Sequence, residues 1–168
     1  MFPKMRRANQ ELPHDVCLDV LGRENCGVLA LHGCGGYPYA VPLNYFLEGD
    51  HLYFHCAVEG HKIEALKNSD KASFCVVAKH DLDPAHLVTR YLSVIAFGKV
   101  AIIESGEERK RIITKFCDLL APGQDEMFAH EMKHFFPIMH ILDFHIEHMT
   151  GKEEKRMAQE RRGQNAAE

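Results

Sequence analysis

The residues best suited to chemistry follow one another at the end of a predicted strand and the start of a predicted helix. The strand spans residues 51–56, and the segment AVEGHKIEALK after it has the pattern of a short helix. The first turn of a helix leaves backbone N–H groups without intrahelical acceptors, and Lys62 within that turn adds a positive charge. Such a helix start binds phosphates and other anions. The sequence therefore predicts an anion site at this helix start, with Lys62 in its first turn.

Nucleophilic catalysis is the second chemistry to consider, because Cys56 directly follows His55. Neighbouring residues of a strand point to opposite faces, which prevents His55 from serving easily as the base for the thiol. We therefore expect Cys56 to be structural, with its backbone rather than its thiol near any ligand.

Twelve histidines raise the question of a metal site. His130 and His134 are four residues apart on a predicted helix, while His140, His145 and His148 lie on one predicted strand. However, the chain has no HExxH motif, His145 falls on the opposite strand face from His140 and His148, and no cysteine pair stands nearby. We predict no metal site.

The strand before the anion site is one half of a predicted hairpin. Alternate positions of residues 39–47 are apolar, which is the period of two that a strand requires. Gly49 and Asp50 supply a two-residue turn, and residues 51–56 return. The return strand has two distinct faces, with Leu52, Phe54 and Cys56 on one and His51, Tyr53 and His55 on the other.

The remaining pattern predicts four more strands, at 26–31, 72–78, 91–104 and 138–149, and helices at 14–24, 59–67, 105–120 and 126–135. Gly98 indicates a bend or bulge in the long strand predicted over 91–104. Residues 80–90 lack periodicity and are predicted to be a loop. Six antiparallel strands in meanders favour a mainly β fold, a closed or split barrel, with helices at its ends. No Gly-rich motif of Rossmann type follows a strand.

Composition limits the classes of function. The chain has 168 residues, 46% of them hydrophobic, and a net charge of −4, which gives no electrostatic support for nucleic-acid binding. No apolar run reaches the length of a membrane span, and residues 1–10 do not lead into a signal peptide. Six scattered cysteines without a CxxC motif are typical of reduced thiols, so we expect a cytoplasmic protein. One domain is predicted over 1–150, and the charged residues 151–168 are predicted to be a frayed tail.

Three segments carry a resemblance to a known family: VPLNY at 41–45, LYFHCA at 52–57 and EGHK at 59–62. From about Met5 to Lys152 the chain resembles the FMN-binding split barrels of the pyridoxamine 5′-phosphate oxidase superfamily, and within it the group of the nitroimidazole reductases. The resemblance implies a six-stranded antiparallel split β-barrel and a homodimer with FMN at the subunit interface.

The resemblance also implies which residues hold the cofactor. The flavin ring and its polar edge would be lined by Val41, Pro42, Leu43 and Asn44. The ribityl chain and phosphate would pass along His55, Cys56 and Ala57. The phosphate would be held by His61 and Lys62. The segment facing the ring would include Ser93 and Val94.

The activity that this resemblance implies is the reduction of a small electrophile, such as a nitroaromatic or a quinone, with electrons from a nicotinamide donor. Two alternatives stay open: a flavin- or haem-binding protein without turnover, and a structural dimeric barrel with an empty cleft. Some relatives bind haem through a histidine, but this chain has no CxxCH motif. Pyridoxamine-phosphate oxidation is disfavoured, because HIEHMTGKEE stands where the oxidases have an arginine-rich segment.

His55 is the residue we expect to influence chemistry at the flavin. It ends the strand where the cofactor should pass, on the more polar of the two strand faces. An unperturbed imidazole has a pKa of about 6.5, so His55 could donate a proton to a reduced substrate or hold an anion. A histidine that only hydrogen-bonds the ribityl chain or phosphate is an equal alternative.

Overall fold

The computed structural model describes residues 2–165, which form one curled antiparallel sheet with helices around it. The strands are β1 (Cys26–His32), β2 (Pro38–Asn44), β3 (Phe46–Glu48), β4 (His51–Ala57), β5 (Lys71–Asp83), β6 (Val88–Ile102) and β7 (Met139–Glu153). The helices are α1 (His14–Arg23), α2 (His61–Asn68), α3 (Gly106–Leu120), α4 (Asp125–Phe135) and α5 (Lys155–Asn165). The predicted mainly β fold with peripheral helices is confirmed.

The sheet has seven strands rather than six, because the strand predicted over 39–47 breaks at Tyr45. In the order β2-β1-β5-β6-β7-β4-β3 the two edge strands, β2 and β3, are consecutive in the chain. Tyr45 connects them, and its backbone N–H donates to the carbonyl of Asn25 at 3.0 Å instead of continuing the ladder. The alternation of apolar residues runs unbroken through Tyr45, so periodicity could not reveal the change of partner strand.

The inward faces of the strands build the main core. Its largest fully buried side chains include Phe54, Phe74, Phe144 and Tyr45. Helix α1 adds Val20 and Leu21, both buried in the same cluster. Burial of side chains of this size contributes about 1.5–3 kcal/mol each, so this cluster is the principal source of stability.

A second core lies on the outside of the sheet, under α3. Phe46, Tyr53 and Ile141 from β3, β4 and β7 pack there against Ile112 and Phe116 of the helix. The helix begins as its sequence predicts, since the Ser105 side chain accepts a hydrogen bond from the backbone N–H of Glu108. Strand β4 thus has one face in the barrel interior and the other under α3, as the alternation of residues 51–56 predicts.

Gly98 occupies the predicted irregularity of the long strand. The register of β6 against β7 shifts between Phe97 and Gly98. A Cβ at Gly98 would lie 1.9 Å from the backbone oxygen of His145, so no larger residue fits there without moving the backbone. The bulge allows the long strand to turn with the barrel.

The prediction of a loop over residues 80–90 is wrong. Strands β5 and β6 continue as a paired hairpin to Asp83 and Val88, with a bulge between Val77 and Lys79. Because this arm is exposed on both faces, its residues carry no apolar alternation, and Leu82 and Leu87 at its tip are exposed. Extended backbone pairing, rather than side-chain burial, forms this part of the sheet.

The frayed terminus predicted from Gly151 is also wrong for residues 151–165. Residues 151–153 complete β7, and α5 follows. The buried carboxylate of Glu153 pairs with the Arg161 guanidinium at 2.7 Å, which anchors the helix to the sheet. No helix within residues 2–165 is long and apolar enough to cross a membrane.

Candidate functional site

A groove of about 900 Å³ lies between the end of β4, the first turn of α2 and the helices α3 and α4. Cavities of 300–1,000 Å³ with mostly apolar walls and a few polar groups are typical of small-molecule sites. Five of the residues predicted to hold the cofactor line this groove: Leu43, His55, Cys56, Ala57 and Lys62. The structure therefore brings together residues from three separate segments of the sequence.

Lys62 supplies the positive charge of the groove. It lies in the first turn of α2, which follows Gly60 in a left-handed conformation with φ of 118°. Lys67 in the last turn of α2 pairs with Glu64 at 2.6 Å, whereas Lys62 has no carboxylate partner within residues 2–165. An unpaired ammonium beside an apolar wall is available to an anionic ligand.

His55 is held against the second core at the floor of the groove. Its ring meets that of Phe116 edge to face, with centroids 4.8 Å apart. Part of the imidazole is open to solvent, and the surrounding groove wall removes water from the rest. This desolvation lowers the pKa of His55, and the positive charge of Lys62 lowers it further. Both causes favour the neutral imidazole.

Cys56 points the other way from its strand neighbour. Its side chain packs against the main core. Burial raises the pKa of the Cys56 thiol, and the opposing effect of Lys62 is smaller. The thiol is therefore protonated at neutral pH, which fits the structural role predicted from the sequence.

His61 and Lys62 do not point into the same space, although the sequence analysis placed both on the phosphate. The Nε2 atom of His61 accepts a hydrogen bond from the backbone N–H of Cys34 at 3.3 Å, and its ring stacks on Tyr39 at 4.2 Å between centroids. Successive helical residues are about 100° apart around the axis, which separates the two side chains. His61 thus ties α2 to the turn before β2, and only Nδ1 is left for a ligand.

The other predicted residues divide between two faces of the sheet. Val94 is fully buried and Val41 packs on the main core, so their side chains lie inside the barrel. Pro42 and Asn44 are exposed on the outer face of β2. Ser93 lies on the same outer face, next to Ile95 in β6. The residues predicted to face the flavin ring therefore do not share one surface: Leu43 lies in the groove, Pro42 and Asn44 lie on the outer face, and β2 forms the rim between the two.

The helical wall of the groove was missed in the sequence analysis. It comprises side chains of α3 and α4, chiefly Ile113, Phe116, Leu120, Phe128 and Met132. The apolar spacing of α3 predicted a buried helix face, but spacing alone does not tell which part of that face is left uncovered. Arg109 fixes one side of this wall, since its guanidinium donates to the Phe136 carbonyl at 2.8 Å and lies over the Phe136 ring.

Comparison with known proteins identifies the fold. The family model described as pyridoxamine 5′-phosphate oxidase matches residues 13–153, which is most of the chain. A search of curated protein sequences finds no significant match.

Solved structures of similar fold include three from different bacteria. A protein assigned to 5-nitroimidazole antibiotic resistance in Bacteroides thetaiotaomicron is 23% identical, with 85% of this chain and 86% of that chain covered and a TM-score of 0.71. An FAD-binding protein from Mesorhizobium loti is 24% identical, with 86% and 95% covered and a TM-score of 0.65. An FAD and heme binding protein from Mycobacterium smegmatis is 20% identical, with 88% and 74% covered and a TM-score of 0.72. The predicted split-barrel fold is confirmed, with seven strands.

Proposed function

Because the chain belongs to the pyridoxamine 5′-phosphate oxidase family, we propose that it is an FMN-binding oxidoreductase that reduces a small electrophile with electrons from a nicotinamide donor. The observation that carries the proposal is the position of Lys62, a cation with no carboxylate partner within residues 2–165, in the wall of an apolar groove of about 900 Å³. A phosphate next to a flat aromatic ring system requires this combination of charge and apolar wall.

The residues of the groove fit such a cofactor. Lys62 and the backbone N–H groups of His61 and Lys62 at the start of α2 would hold the phosphate. Leu43 and the backbone of Cys56 and Ala57 would border the rest of the molecule, with His55 as the polar group on the floor. When bound, FMN supplies the electron transfer itself, so the protein needs to bind, orient and keep water from the site.

We propose that His55 acts on the cofactor as a neutral hydrogen-bonding group. Its lowered pKa makes the imidazolium scarce at neutral pH, which argues against a role as proton donor to the reduced substrate. The edge-to-face contact with Phe116 fixes the orientation of the His55 ring, so that the ring can present a hydrogen-bonding nitrogen to a ligand in the groove.

The substrate class is inferred from the helical wall of the groove. Side chains of α3 and α4 present an apolar surface with Phe116, Phe128 and Met132. A flat, weakly polar electrophile such as a nitroaromatic or quinone would pack there. The segment HIEHMTGKEE lies in β7 and the turn after it, and it contains no arginine to bind a substrate phosphate. This supports a substrate other than pyridoxamine phosphate.

We further propose a homodimer formed through the outer face of the sheet. By register, Pro42, Val28, Cys75 and Ile95 lie side by side across four strands on that face. Val28 and Ile95 are 39% and 38% exposed, and Val77 in the next row is 60% exposed. A second copy would cover this apolar row and reach the rim at β2, where it would close the open side of the flavin. A cytoplasmic location stays a prediction from the cysteine pattern.

The absorbance spectrum of the purified protein tests the cofactor. Flavin bands near their usual positions, with FMN released on denaturation, support the proposal, and a Soret band would indicate haem instead. Consumption of NADH or NADPH with a nitroaromatic or quinone acceptor then tests the activity. A colourless protein that takes up no FMN would contradict the cofactor, and a flavoprotein that consumes neither donor would be a binding protein without turnover.

A further inference from the structure

We propose a site for a divalent first-row transition metal, with zinc as the representative ion, formed by Asp50, His51 and His145. The three residues lie at the β3–β4 turn and on the adjacent strand β7. Each offers one ligand atom, and these atoms all lie within 4.8 Å of one another. The sequence analysis predicted no metal site, because it grouped His145 with histidines of its own strand.

The backbone fixes the two histidines side by side. His51 begins β4, and its Cα partner in β7 is His145. Directly paired residues of antiparallel strands have side chains on the same face. The two imidazole rings have centroids 5.0 Å apart. To bind one ion, the ligand atoms, which all lie within 4.8 Å of one another, would have to close to the roughly 3.4 Å that separates ligands of a tetrahedral metal.

Asp50 adds an oxygen ligand between the two rings. Its carboxylate lies 3.3 Å from Nε2 of His51 and 3.1 Å from Nε2 of His145. Ligands about 2.0–2.2 Å from a tetrahedral metal are about 3.3–3.6 Å from one another. The distances to Asp50 are close to the edges of such a coordination shell. Because three protein ligands are available and the cluster is open to solvent, water would occupy the fourth position.

A second carboxylate orients His51. Asp143 Oδ1 lies 2.6 Å from Nδ1 of His51, so that Nδ1–H donates to it and the lone pair of Nε2 faces Asp50. A carboxylate on the far nitrogen is the usual support of a metal-binding histidine, because it fixes the ring and raises its basicity. Asp143 thus gives His51 the orienting contact that a metal-binding histidine uses.

The neighbouring lysines and arginine are paired with other carboxylates, so the carboxylates of the site are available to a cation. Glu48, the β3 partner of His51, is already engaged by Arg111 and Lys115, so its charge is compensated. Lys99, the β6 partner of His145, is directed to Asp70 at 3.8 Å. The two carboxylates of Asp50 and Asp143 therefore face the histidines without a lysine or arginine partner within residues 2–165.

The site is separate from the cofactor groove. His51 and His55 are four residues apart on one strand, which is about 13 Å at 3.3 Å per residue. A bound ion would join the β3–β4 turn to the middle of β7 and thereby hold the edge of the sheet. The expected role is structural, and no electron transfer is assigned to it.

Isothermal titration of the full chain with zinc chloride tests the site. We expect one tight equivalent in the wild type and a higher melting temperature in its presence. Replacing the ligand in His145→Gln should weaken this binding at least 100-fold, and Asp143→Asn should weaken it about 10- to 100-fold, as is usual for an orienting carboxylate.

Two control variants separate this cluster from the other histidines. His86→Gln removes an exposed histidine that also lies beside an aspartate, at 2.9 Å from Asp83, but belongs to no cluster with a second histidine among residues 2–165. His130→Gln removes one member of the helical pair with His134. Both should keep the tight equivalent. Absence of tight zinc binding in the wild type, or unchanged affinity in His145→Gln, would overturn the proposal.

Discussion

The hydroxyl of Tyr45 donates a hydrogen bond of 2.8 Å to the backbone carbonyl of Leu21. Leu21 lies in the last turn of α1, where carbonyl groups have no helical N–H partner. Tyr45 is the residue at which the chain leaves one edge of the sheet and joins the other. A single buried side chain therefore satisfies the end of α1 and fixes the point where the barrel closes.

Tyr45→Phe should destabilise the protein by about 1 to 3 kcal/mol, because it leaves the buried Leu21 carbonyl without a donor while keeping the aromatic packing. Urea unfolding followed by circular dichroism measures the change. Tyr37→Phe is the matched control, since Tyr37 is 79% exposed. Equal stability of the two variants would show that the hydrogen bond contributes nothing.

Lys62→Ala should weaken FMN binding about ten- to a hundred-fold, because a charge-assisted hydrogen bond to the phosphate is worth about 1.5–3 kcal/mol. Titration of the apoprotein with FMN, followed by flavin fluorescence, gives the dissociation constant. Lys67→Ala in the same helix removes a lysine that is paired with Glu64, and FMN affinity should stay as in the wild type. If both variants bind FMN like the wild type, Lys62 does not hold the phosphate.

His55→Gln should lower FMN retention and leave turnover per bound flavin intact from pH 5 to pH 8. The reason is that the lowered pKa of His55 makes the neutral ring the active form, and glutamine can replace its hydrogen bond in part. A loss of turnover per flavin together with its pH dependence would instead identify His55 as a proton donor.

His55→Gln should also change how the stability of the protein depends on pH. A histidine with a pKa below its unfolded value binds fewer protons in the folded state than in the unfolded chain, so its contribution to the free energy of unfolding falls as pH falls through about 6.5. Wild-type stability should therefore decrease below pH 7 more steeply than that of His55→Gln. Parallel pH profiles would show that His55 is not desolvated in the folded protein.

Glu48→Gln tests the connection between β3 and α3. Hydrogen bonds from Arg111 and Lys115 lower the pKa of Glu48 to about 2. A carboxyl whose pKa is lower in the folded protein than in the unfolded chain stabilises the fold at pH values above its unfolded pKa. It loses that contribution as the pH falls towards its folded pKa. The variant should be less stable by about 1 kcal/mol at pH 7, a modest figure because the ion pairs are partly exposed to solvent.

The difference between Glu48→Gln and wild type should shrink between pH 4.5 and about 2. Glu64→Gln serves as the comparison, because Glu64 forms an exposed pair with Lys67 in one helix. Its effect should be smaller at every pH. A Glu48 effect that is independent of pH would mean that the two cations do not stabilise the carboxylate.

Ile95→Glu should prevent the proposed dimer, because it places a charge at the centre of the apolar outer face. Sedimentation velocity reports the oligomeric state directly. Leu119→Glu, an exposed change on α3 away from that face, should remain a dimer. A wild type that sediments as a monomer while it holds FMN would remove the interface proposal altogether.

Much of the candidate site could be predicted because its signals are local. The Gly49-Asp50 turn, the two faces of residues 51–56 and Lys62 in a helix start all depend on neighbouring residues. The direction of His61 could not be predicted, because its hydrogen-bond partner Cys34 lies 27 residues earlier in the chain.

Features that depend on distant pairing escaped the sequence analysis. The arm of β5 and β6 beyond Val77 is held by backbone bonds between strands whose side chains are exposed, so no periodicity marks it. His51 and His145 are neighbours only because β7 pairs with β4. Burial periodicity records what a strand buries, and it contains no information on which strand lies beside it.

The position of β7 has a consequence for how the protein is made. Although β7 is the last strand of the sequence, it lies in the sheet between β6 and β4, and partners such as Tyr53 and Asp143 are 90 residues apart in the chain. While the chain is still being synthesised, β6 and the β3–β4 hairpin have unpaired edges that can associate with other nascent chains. The sheet can be completed only after residues 139–153 have left the ribosome, so the pairing of β7 with β4 and β6 is a late step, and its long sequence separation favours slow folding.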